Sequence, residues 1–110
     1  MNIAITFRHM DSTQSVKTHA SDKVAKLQKF LRQPMKAQVT LSCQHLAHTA
    51  EIEIHSGGEH FHAHDSSEDM YATIDKVADK LERQIRAAKV SRKGAERASE
   101  RLIVDETGED

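Results

Sequence analysis

The sequence has few of the residues that mark secreted or membrane proteins. Its 110 residues include one cysteine, one proline and no tryptophan. No apolar run approaches the roughly eighteen residues of a membrane-spanning helix, and the start MNIAITF lacks the basic and long apolar parts of a signal peptide. A lone cysteine cannot form an internal disulfide, which indicates a reducing compartment. These absences predict a cytoplasmic protein that has no membrane partner.

Catalytic motifs are also scarce. No glycine-rich loop precedes a helix, and the carboxylates occupy cap or surface positions. Cys43 falls in an alternating apolar stretch, so we predict a small core residue rather than a nucleophile. We therefore expect a binding protein and not an enzyme, with no cofactor and no small-molecule substrate.

The length and the apolar content predict one domain. A chain of 110 residues with 37 % hydrophobic content can bury one core and is too short for two. After Gly94 the sequence AERASERLIVDETGED has little apolar content and ends acidic. We therefore predict a domain over residues 1–93 and a charged, disordered tail over residues 94–110.

The N-terminal third is typical of a strand followed by an amphipathic helix. NIAITFR alternates apolar and polar residues, as a half-buried strand does. DSTQ at 11–14 then offers N-cap candidates at Asp11, Ser12 and Thr13, between which the sequence does not decide. Steps of three and four predict a helix with apolar positions at Val16, Ala20, Val24, Leu27 and Leu31.

Three more strands are predicted by a return to period two. Residues 37–44 and HTAEIEIH alternate, and the glycine pair at 57–58 predicts a two-residue hairpin before EHFHAH. Counted from that turn, the facing pairs are His55 with His60, Ile54 with Phe61, Glu53 with His62, Ile52 with Ala63, and Glu51 with His64. The histidines of this hairpin therefore face away from the core.

A second helix completes the domain. SSED at 66–69 supplies a serine hydroxyl for the cap and two carboxylates for the positive end of the helix dipole. Its buried stripe is predicted at Ile74, Val77, Leu81, Ile85 and Ala88. The order β-α-β-β-β-α predicts an α+β two-layer sandwich, in which two helices cover one face of a four-stranded antiparallel sheet.

The helices carry the strongest functional signal, because charge is segregated along the chain. Residues 1–36 and 80–94 are basic and residues 37–79 and 95–110 are acidic, although the formal net charge is only -1. With Leu81 at the centre of the buried stripe, Lys76 and Arg83 fall opposite it and Lys80 and Arg86 on its flanks. We predict RNA phosphate binding by Lys23, Lys26, Lys29, Lys76, Lys80, Arg83, Arg86, Lys89, Arg92 and Lys93.

Base stacking contributes little to this prediction. The aromatic residues are Tyr71, Phe7, Phe30 and Phe61, and all but Tyr71 occupy predicted core positions. The aromatic strand signature of a single-strand reader is missing. Recognition is therefore expected to rest on shape and phosphate.

The alternating histidines of GEHFHAHD also allow a metal hypothesis. Side chains two residues apart on a strand share a face but lie about 7 Å apart, and a flat surface offers no outer shell to orient the rings. We predict no physiological metal site, and only incidental capture of a divalent ion by His55, His60, His62, His64, Glu51 and Glu53. A pH-sensitive face is a further alternative.

Three segments resemble a known family. HTAEIEIHSGGEHFHA, EDMYATIDKVADKLERQI and DKVAKLQKF are similar to the ribosome hibernation promoting factors and their relative protein Y. The resemblance implies a fold like that of double-stranded RNA-binding domains. It also implies binding to the small ribosomal subunit in the channel of messenger and transfer RNA, which silences translation in stationary phase or stress.

The resemblance also implies roles for individual residues. Basic positions of the family match Lys23 and Lys26 in the first helix and Lys80, Arg83 and Lys89 in the second, and its helix-start motif matches Asp69, Met70 and Tyr71. The hairpin resembles hibernation promoting factor, whereas the acidic tail resembles protein Y. Whether ribosome dimers are promoted or single ribosomes held inactive therefore stays open.

Two other functions stay open as well. One is a general double-stranded RNA-binding module, and the other is a metal-responsive protein that uses the histidine-rich face. For the free protein we expect a monomer of the short family form, because 110 residues leave no room for the additional dimerisation domain of the long form.

Overall fold

The computed structural model describes residues 1–93, with side chains as far as Lys89. The predicted tail over residues 94–110 lies outside the described residues, and so do the side chains of Arg92 and Lys93. No helix within the described part is long and apolar enough to cross a membrane.

Four strands form one sheet in the order β1-β2-β3-β4. They are β1 (Asn2–Arg8), β2 (Met35–Gln44), β3 (Ala47–Ser56) and β4 (Glu59–Ser67). The pairs β2/β3 and β3/β4 are antiparallel, but β1 and β2 are parallel. The sheet is therefore mixed where an antiparallel one was expected, because the helix between β1 and β2 returns the chain to the same end of the sheet.

The predicted register of the β3/β4 hairpin is confirmed. His55 lies opposite His60, Ile54 opposite Phe61, Glu53 opposite His62, Ile52 opposite Ala63 and Glu51 opposite His64. A two-residue turn determines which residues face each other, and Gly57 adopts the positive φ of 59° that such a turn needs. One face of the hairpin is therefore apolar and the other carries the histidines.

The first helix is shorter than predicted. Helix α1 covers Gln14–Ala25, and a 3₁₀ helix continues it over Lys26–Phe30. The open choice of N-cap is resolved in favour of Thr13, whose Oγ1 accepts a hydrogen bond from the backbone N–H of Val16 at 3.2 Å. The apolar step of three residues from Val24 to Leu27 fits both helix types, so the sequence pattern did not show where one gives way to the other.

The second helix, α2, covers Met70–Lys93. The predicted serine cap is wrong: Oδ2 of Asp69 accepts from the backbone N–H of Ala72 at 3.2 Å. The hydroxyl of Ser67 is used differently, since it accepts from the N–H of Asp69 and lies 2.6 Å from Oγ1 of Thr73. Strand β4 runs as far as Ser67, which leaves Asp69 as the residue at the helix start.

Both helices cover the same face of the sheet and bury one core, which confirms the two-layer α+β arrangement. The predicted stripe of α2 is buried at Ile74, Val77, Leu81 and Ile85, and Ala88 packs at its margin. Cys43 differs from its prediction. It is half-buried near the hairpin end of β2, with Sγ 3.7 Å from Nε2 of His48, and is not part of the core cluster.

Candidate nucleic-acid interface

The predicted basic residues lie on the helical layer, where α1 and α2 run side by side. Near the N-terminal end of α2, Nε2 of His19 lies 2.8 Å and Nζ of Lys23 lies 3.5 Å from Oδ1 of Asp75. The His19 ring also meets the edge of Tyr71, with centroids 5.0 Å apart. These contacts hold the two helices together, and they place the positive charge of Lys23 beside a carboxylate.

At the other end, the basic residues of the two helices meet at one aromatic ring. Nζ of Lys29, in the 3₁₀ helix, lies 5.3 Å from the centroid of Phe30, and Cζ of Arg86, on α2, lies 5.8 Å from it. Both distances are within the range of a cation–π contact. Phe30 therefore joins the basic side chains of both helices into one surface.

The 3₁₀ helix changes the predicted arrangement of the first-helix lysines. An α-helix would spread Lys23, Lys26 and Lys29 in a slow spiral. In a 3₁₀ helix, however, residues three apart are aligned, so Lys26 and Lys29 project from the same side. Both are exposed. This alignment places the charge of Lys26 on the same side as that of Lys29, which contacts Phe30.

The helical projection of α2 is confirmed. Lys76 and Arg83 are exposed, and the side chain of Arg83 has a relative accessibility of 78 %. Arg83 pairs with Asp79 at 2.9 Å, and Arg86 pairs with Glu82 at 3.0 Å, in both cases one helical turn away. Exposed pairs of this kind contribute roughly 0.2–1 kcal/mol, so a phosphate can compete for either arginine.

Lys80 occupies the flank of α2 that contacts β4. Its Nζ donates to the carbonyl oxygen of His64 at 3.2 Å and lies 3.4 Å from Oδ2 of Asp65. One turn later, Nε2 of Gln84 donates to the carbonyl oxygen of His62 at 2.8 Å. Because β4 is an edge strand, these side chains satisfy backbone acceptors that the sheet leaves open.

Arg32 is a basic residue that the sequence prediction omitted. Together with Lys89 and Glu59, it lines a depression of about 530 Å³ beside the β3/β4 hairpin. Arg32 belongs to the basic block over residues 1–36 but lies beyond the predicted helix, and no periodic pattern linked it to Lys89. The basic face, as we define it, consists of Lys23, Lys26, Lys29, Arg32, Lys76, Lys80, Arg83, Arg86 and Lys89.

The helix-start motif serves three structural purposes. Asp69 caps α2, and Met70 is buried in the core with 4 % of its surface exposed. Tyr71 retains 40 % of its surface, beside His19 at the junction of the two helices. It is therefore an accessible aromatic side chain at the N-terminal end of the helical layer.

The histidine side chains of the β3/β4 hairpin lie on the other side of the sheet, away from the helices. His55, His60, His62 and His64 are exposed there, as the register predicts. The glutamates bond diagonally: Oε2 of Glu53 lies 3.0 Å from Nε2 of His60, and Oε2 of Glu51 lies 2.7 Å from Nε2 of His62. The basic face and the histidines thus occupy opposite surfaces of the domain.

A basic helical layer on a four-stranded mixed sheet defines a small α+β protein with a surface suited to nucleic-acid phosphates. The comparison with protein families identifies the family to which the chain belongs. Residues 3–93 match the model of the family described as Sigma 54 modulation protein / S30EA ribosomal protein, and the chain belongs to that family.

Individual relatives confirm the resemblance found in the sequence. The chain is 32 % identical over 85 residues to the ribosome hibernation promoting factor of Escherichia coli, a match that covers 77 % of this chain and 90 % of that protein. The N-terminal domain of protein Y from Thermus thermophilus superposes with a TM-score of 0.74 at 29 % identity, covering 78 % of this chain and 97 % of that structure.

A more distant structure supports the fold alone. The ribosomal subunit interface protein of Coxiella burnetii superposes with a TM-score of 0.71 at 21 % identity. This similarity covers 82 % of our chain and 99 % of that one. The chain thus shares its β-α-β-β-β-α architecture with both of these structures.

Proposed function

We propose that this protein is a ribosome hibernation factor whose basic face binds ribosomal RNA of the small subunit. In this role it occupies the channel of messenger and transfer RNA and blocks translation in stationary phase or stress. The observation that carries the proposal is the junction at Phe30, where Lys29 and Arg86 combine the charges of both helices. The hibernation promoting factors among its relatives support the ribosome as the partner.

The electrostatics of the basic face favour a polyanion over a small ligand. The cations extend from Lys23, at the contact of the two helices, to Lys89 beside the hairpin. A row of positive charges of this kind matches the repeated charges of a phosphate backbone. The binding free energy comes largely from the release of counterions. Shape and charge would therefore determine binding, since Tyr71 is the one exposed residue among the tyrosine and phenylalanines of the described part.

The mechanism requires occlusion and no chemistry. A compact domain held in the decoding channel excludes messenger and transfer RNA by volume, so neither a cofactor nor a catalytic residue is needed. The curated relatives are named as hibernation factors and not as enzymes. A ribosomal partner implies action in the cytoplasm, and we propose that the protein is monomeric when free.

The test reverses charge on the basic face and compares it with an equal reversal elsewhere. Arg83 and Lys89 are suitable because neither supports the edge of β4, whereas Lys80 does. The matched control reverses Arg8 and Lys36, which alternate onto the outer face of the sheet. We expect Arg83→Glu with Lys89→Glu to weaken cosedimentation with small ribosomal subunits strongly and the control pair to retain it.

The salt dependence gives a second readout from the same variants. Each phosphate contact contributes roughly 0.9 to the slope of log K against log salt concentration on duplex nucleic acid. Loss of two contacts should therefore flatten the slope by about two. Equal cosedimentation of both variant pairs, with thermal melts that match the unmodified protein, would refute the assignment of the basic face.

Two further experiments distinguish between the remaining functions. Tight binding to plain duplex RNA in the absence of ribosomes would favour a general double-stranded RNA-binding module. Sucrose-gradient profiles of whole ribosomes, with and without the protein, distinguish dimer formation from inactivation of single ribosomes. We propose inactivation of ribosomes as the common result.

A further inference from the structure

The outer face of the sheet holds a cluster that the ribosome-binding proposal does not use. Glu53 and His55 lie two residues apart on β3, and His60 lies on β4 directly opposite His55. One ligand atom from each of the three side chains lies within 4.8 Å of the other two. Two imidazoles and a carboxylate at this separation form a candidate metal site.

Pairing across the strands produces this proximity. The sequence prediction measured the histidines along β4, where successive ones are about 7 Å apart. Residues directly opposite on neighbouring strands are closer, with Cβ atoms about 4.5–5.5 Å apart. The rings of His55 and His60 accordingly stack with centroids 4.4 Å apart, at an angle of 23°.

Glu53, the third candidate ligand, lies diagonally across the strand pair from His60. Oε2 of Glu53 lies 3.0 Å from Nε2 of His60. Zinc binds imidazole nitrogen and carboxylate oxygen at about 2.0–2.2 Å, which places the ligand atoms of a tetrahedral site roughly 3.3 Å apart. Side-chain rotation can close the remaining distance, since the side chains of His60 and Glu53 have relative accessibilities of 50 % and 46 %.

The surroundings separate this cluster from the other outer-face histidines. Glu51 bonds to His62 at 2.7 Å, and the ring of His64 lies 6.0 Å from that of His62. Lys36 lies beside His55 in the register of β2, and its flexible stem allows the ammonium group to extend away from an ion. The position is thus distinct from the second His/Glu pair.

We propose that Glu53, His55 and His60 bind one divalent transition-metal ion of the zinc type on the outer face of the sheet. The two imidazole donors favour zinc, nickel or copper over magnesium and calcium, which prefer sites built from oxygen ligands alone. Two histidines and one glutamate leave a fourth position for water. Since the cluster lies opposite the basic face, the ion can bind while that face is occupied.

The test uses the full chain without a purification tag, stripped of metal by a chelator. Zinc is titrated in competition with a chromophoric chelator. We expect uptake of one zinc per chain, with affinity reduced at least about tenfold by His60→Ala, because loss of even an outer partner of a metal ligand costs 10–100-fold. His64→Ala is the matched control, since that histidine shares the strand and the face, and it should retain the affinity.

A spectroscopic readout locates the ion without mutation. In NMR spectra of the unmodified protein, zinc should shift the ring resonances of His55 and His60 and leave those of His64 unchanged. Metal-free thermal melts show that each variant is folded. Equal loss of affinity in His60→Ala and His64→Ala, shifts confined to His62 and His64, or no zinc uptake at all would each overturn the proposal.

Discussion

Lys80 on α2 reaches the neighbouring strand, where its Nζ lies 3.4 Å from Oδ2 of Asp65 on β4. The pKa of Asp65 is lowered from its ordinary value of 3.8, first by the hydrogen bond that the backbone N–H of Ser66 donates to Oδ1. Partial burial opposes this effect, and the charges of Lys80 and Lys76 reinforce it. The ionised carboxylate therefore stabilises the folded state.

This relationship predicts a pH-dependent stability. A carboxyl group with a lowered pKa in the folded state contributes stability above its unfolded pKa, and that contribution is lost as the pH falls through the folded pKa. Asp65→Asn should therefore cost on the order of 0.5 kcal/mol in urea unfolding at pH 7. Below a pH of 3.8 the difference from the unmodified protein should shrink. The same difference at both pH values would contradict this account.

The ion pairs on the exposed side of α2 predict a gain in binding. Asp79 and Glu82 partly neutralise Arg83 and Arg86. Asp79→Asn and Glu82→Gln should tighten binding to small ribosomal subunits by up to about fivefold each at about 0.1 M salt, because an exposed pair contributes roughly 0.2–1 kcal/mol.

The control for this gain lies on the opposite surface. Glu51→Gln and Glu53→Gln also remove two negative charges, but they do so on the outer face of the sheet. In buffer with about 0.1 M salt and a chelator, screening over about 10 Å should leave their binding near that of the unmodified protein. Equal gains in both variants would mean that total charge, and not the basic face, determines affinity.

The two glycines of the β3/β4 turn differ in what they tolerate. Gly57 has a φ of +59°, and a Cβ there would lie 2.9 Å from Cγ of Gln33, whereas a Cβ on Gly58 meets nothing within 4 Å. Gly57→Ala should cost about 1–2 kcal/mol, because an L side chain is strained in the left-handed region. Gly58→Ala should remain within about 0.5 kcal/mol. Thermal unfolding of the two variants measures this contrast, and equal melting temperatures would contradict it.

Two leucines provide a matched test of the core. Leu81 is fully buried under α2, whereas Leu46 retains 77 % of its surface at the β2/β3 turn. Leu81→Ala should cost about 2–5 kcal/mol through lost burial and a residual cavity. Leu46→Ala should change the free energy of unfolding by less than about 0.5 kcal/mol. A small loss in Leu81→Ala would show that the core collapses around the missing side chain.

Where local rules applied, the sequence predicted the structure well. The glycine pair at 57–58 determined the register of β3 and β4 because a two-residue turn permits only one set of facing residues. The stripe through Leu81 was also correct, since a helix of 3.6 residues per turn places every third or fourth residue on one side. The flanks assigned to Lys80 and Arg86 followed from the same geometry.

Features that depend on competing local partners were predicted less well. Ser67 and Asp69 can both cap a helix, and the choice depended on how far β4 extends. The end of α1 at Ala25 was missed in the same way. There, Oε1 of Gln28 accepts from the backbone N–H of Met35 at 2.8 Å and links the 3₁₀ helix to β2. Such bonds join residues that no periodic pattern relates.

The sequence by itself determined the order of the elements, their buried faces and the segregation of basic and histidine-rich surfaces, because each follows from periodicity along one segment. Only the tertiary structure decided which side chains from different segments meet. It brought Lys29 and Arg86 to Phe30, Glu53 to His60, and Arg32 and Lys89 to one depression. These contacts arise from packing and strand pairing, which set distances between residues that are far apart in the chain or belong to neighbouring strands.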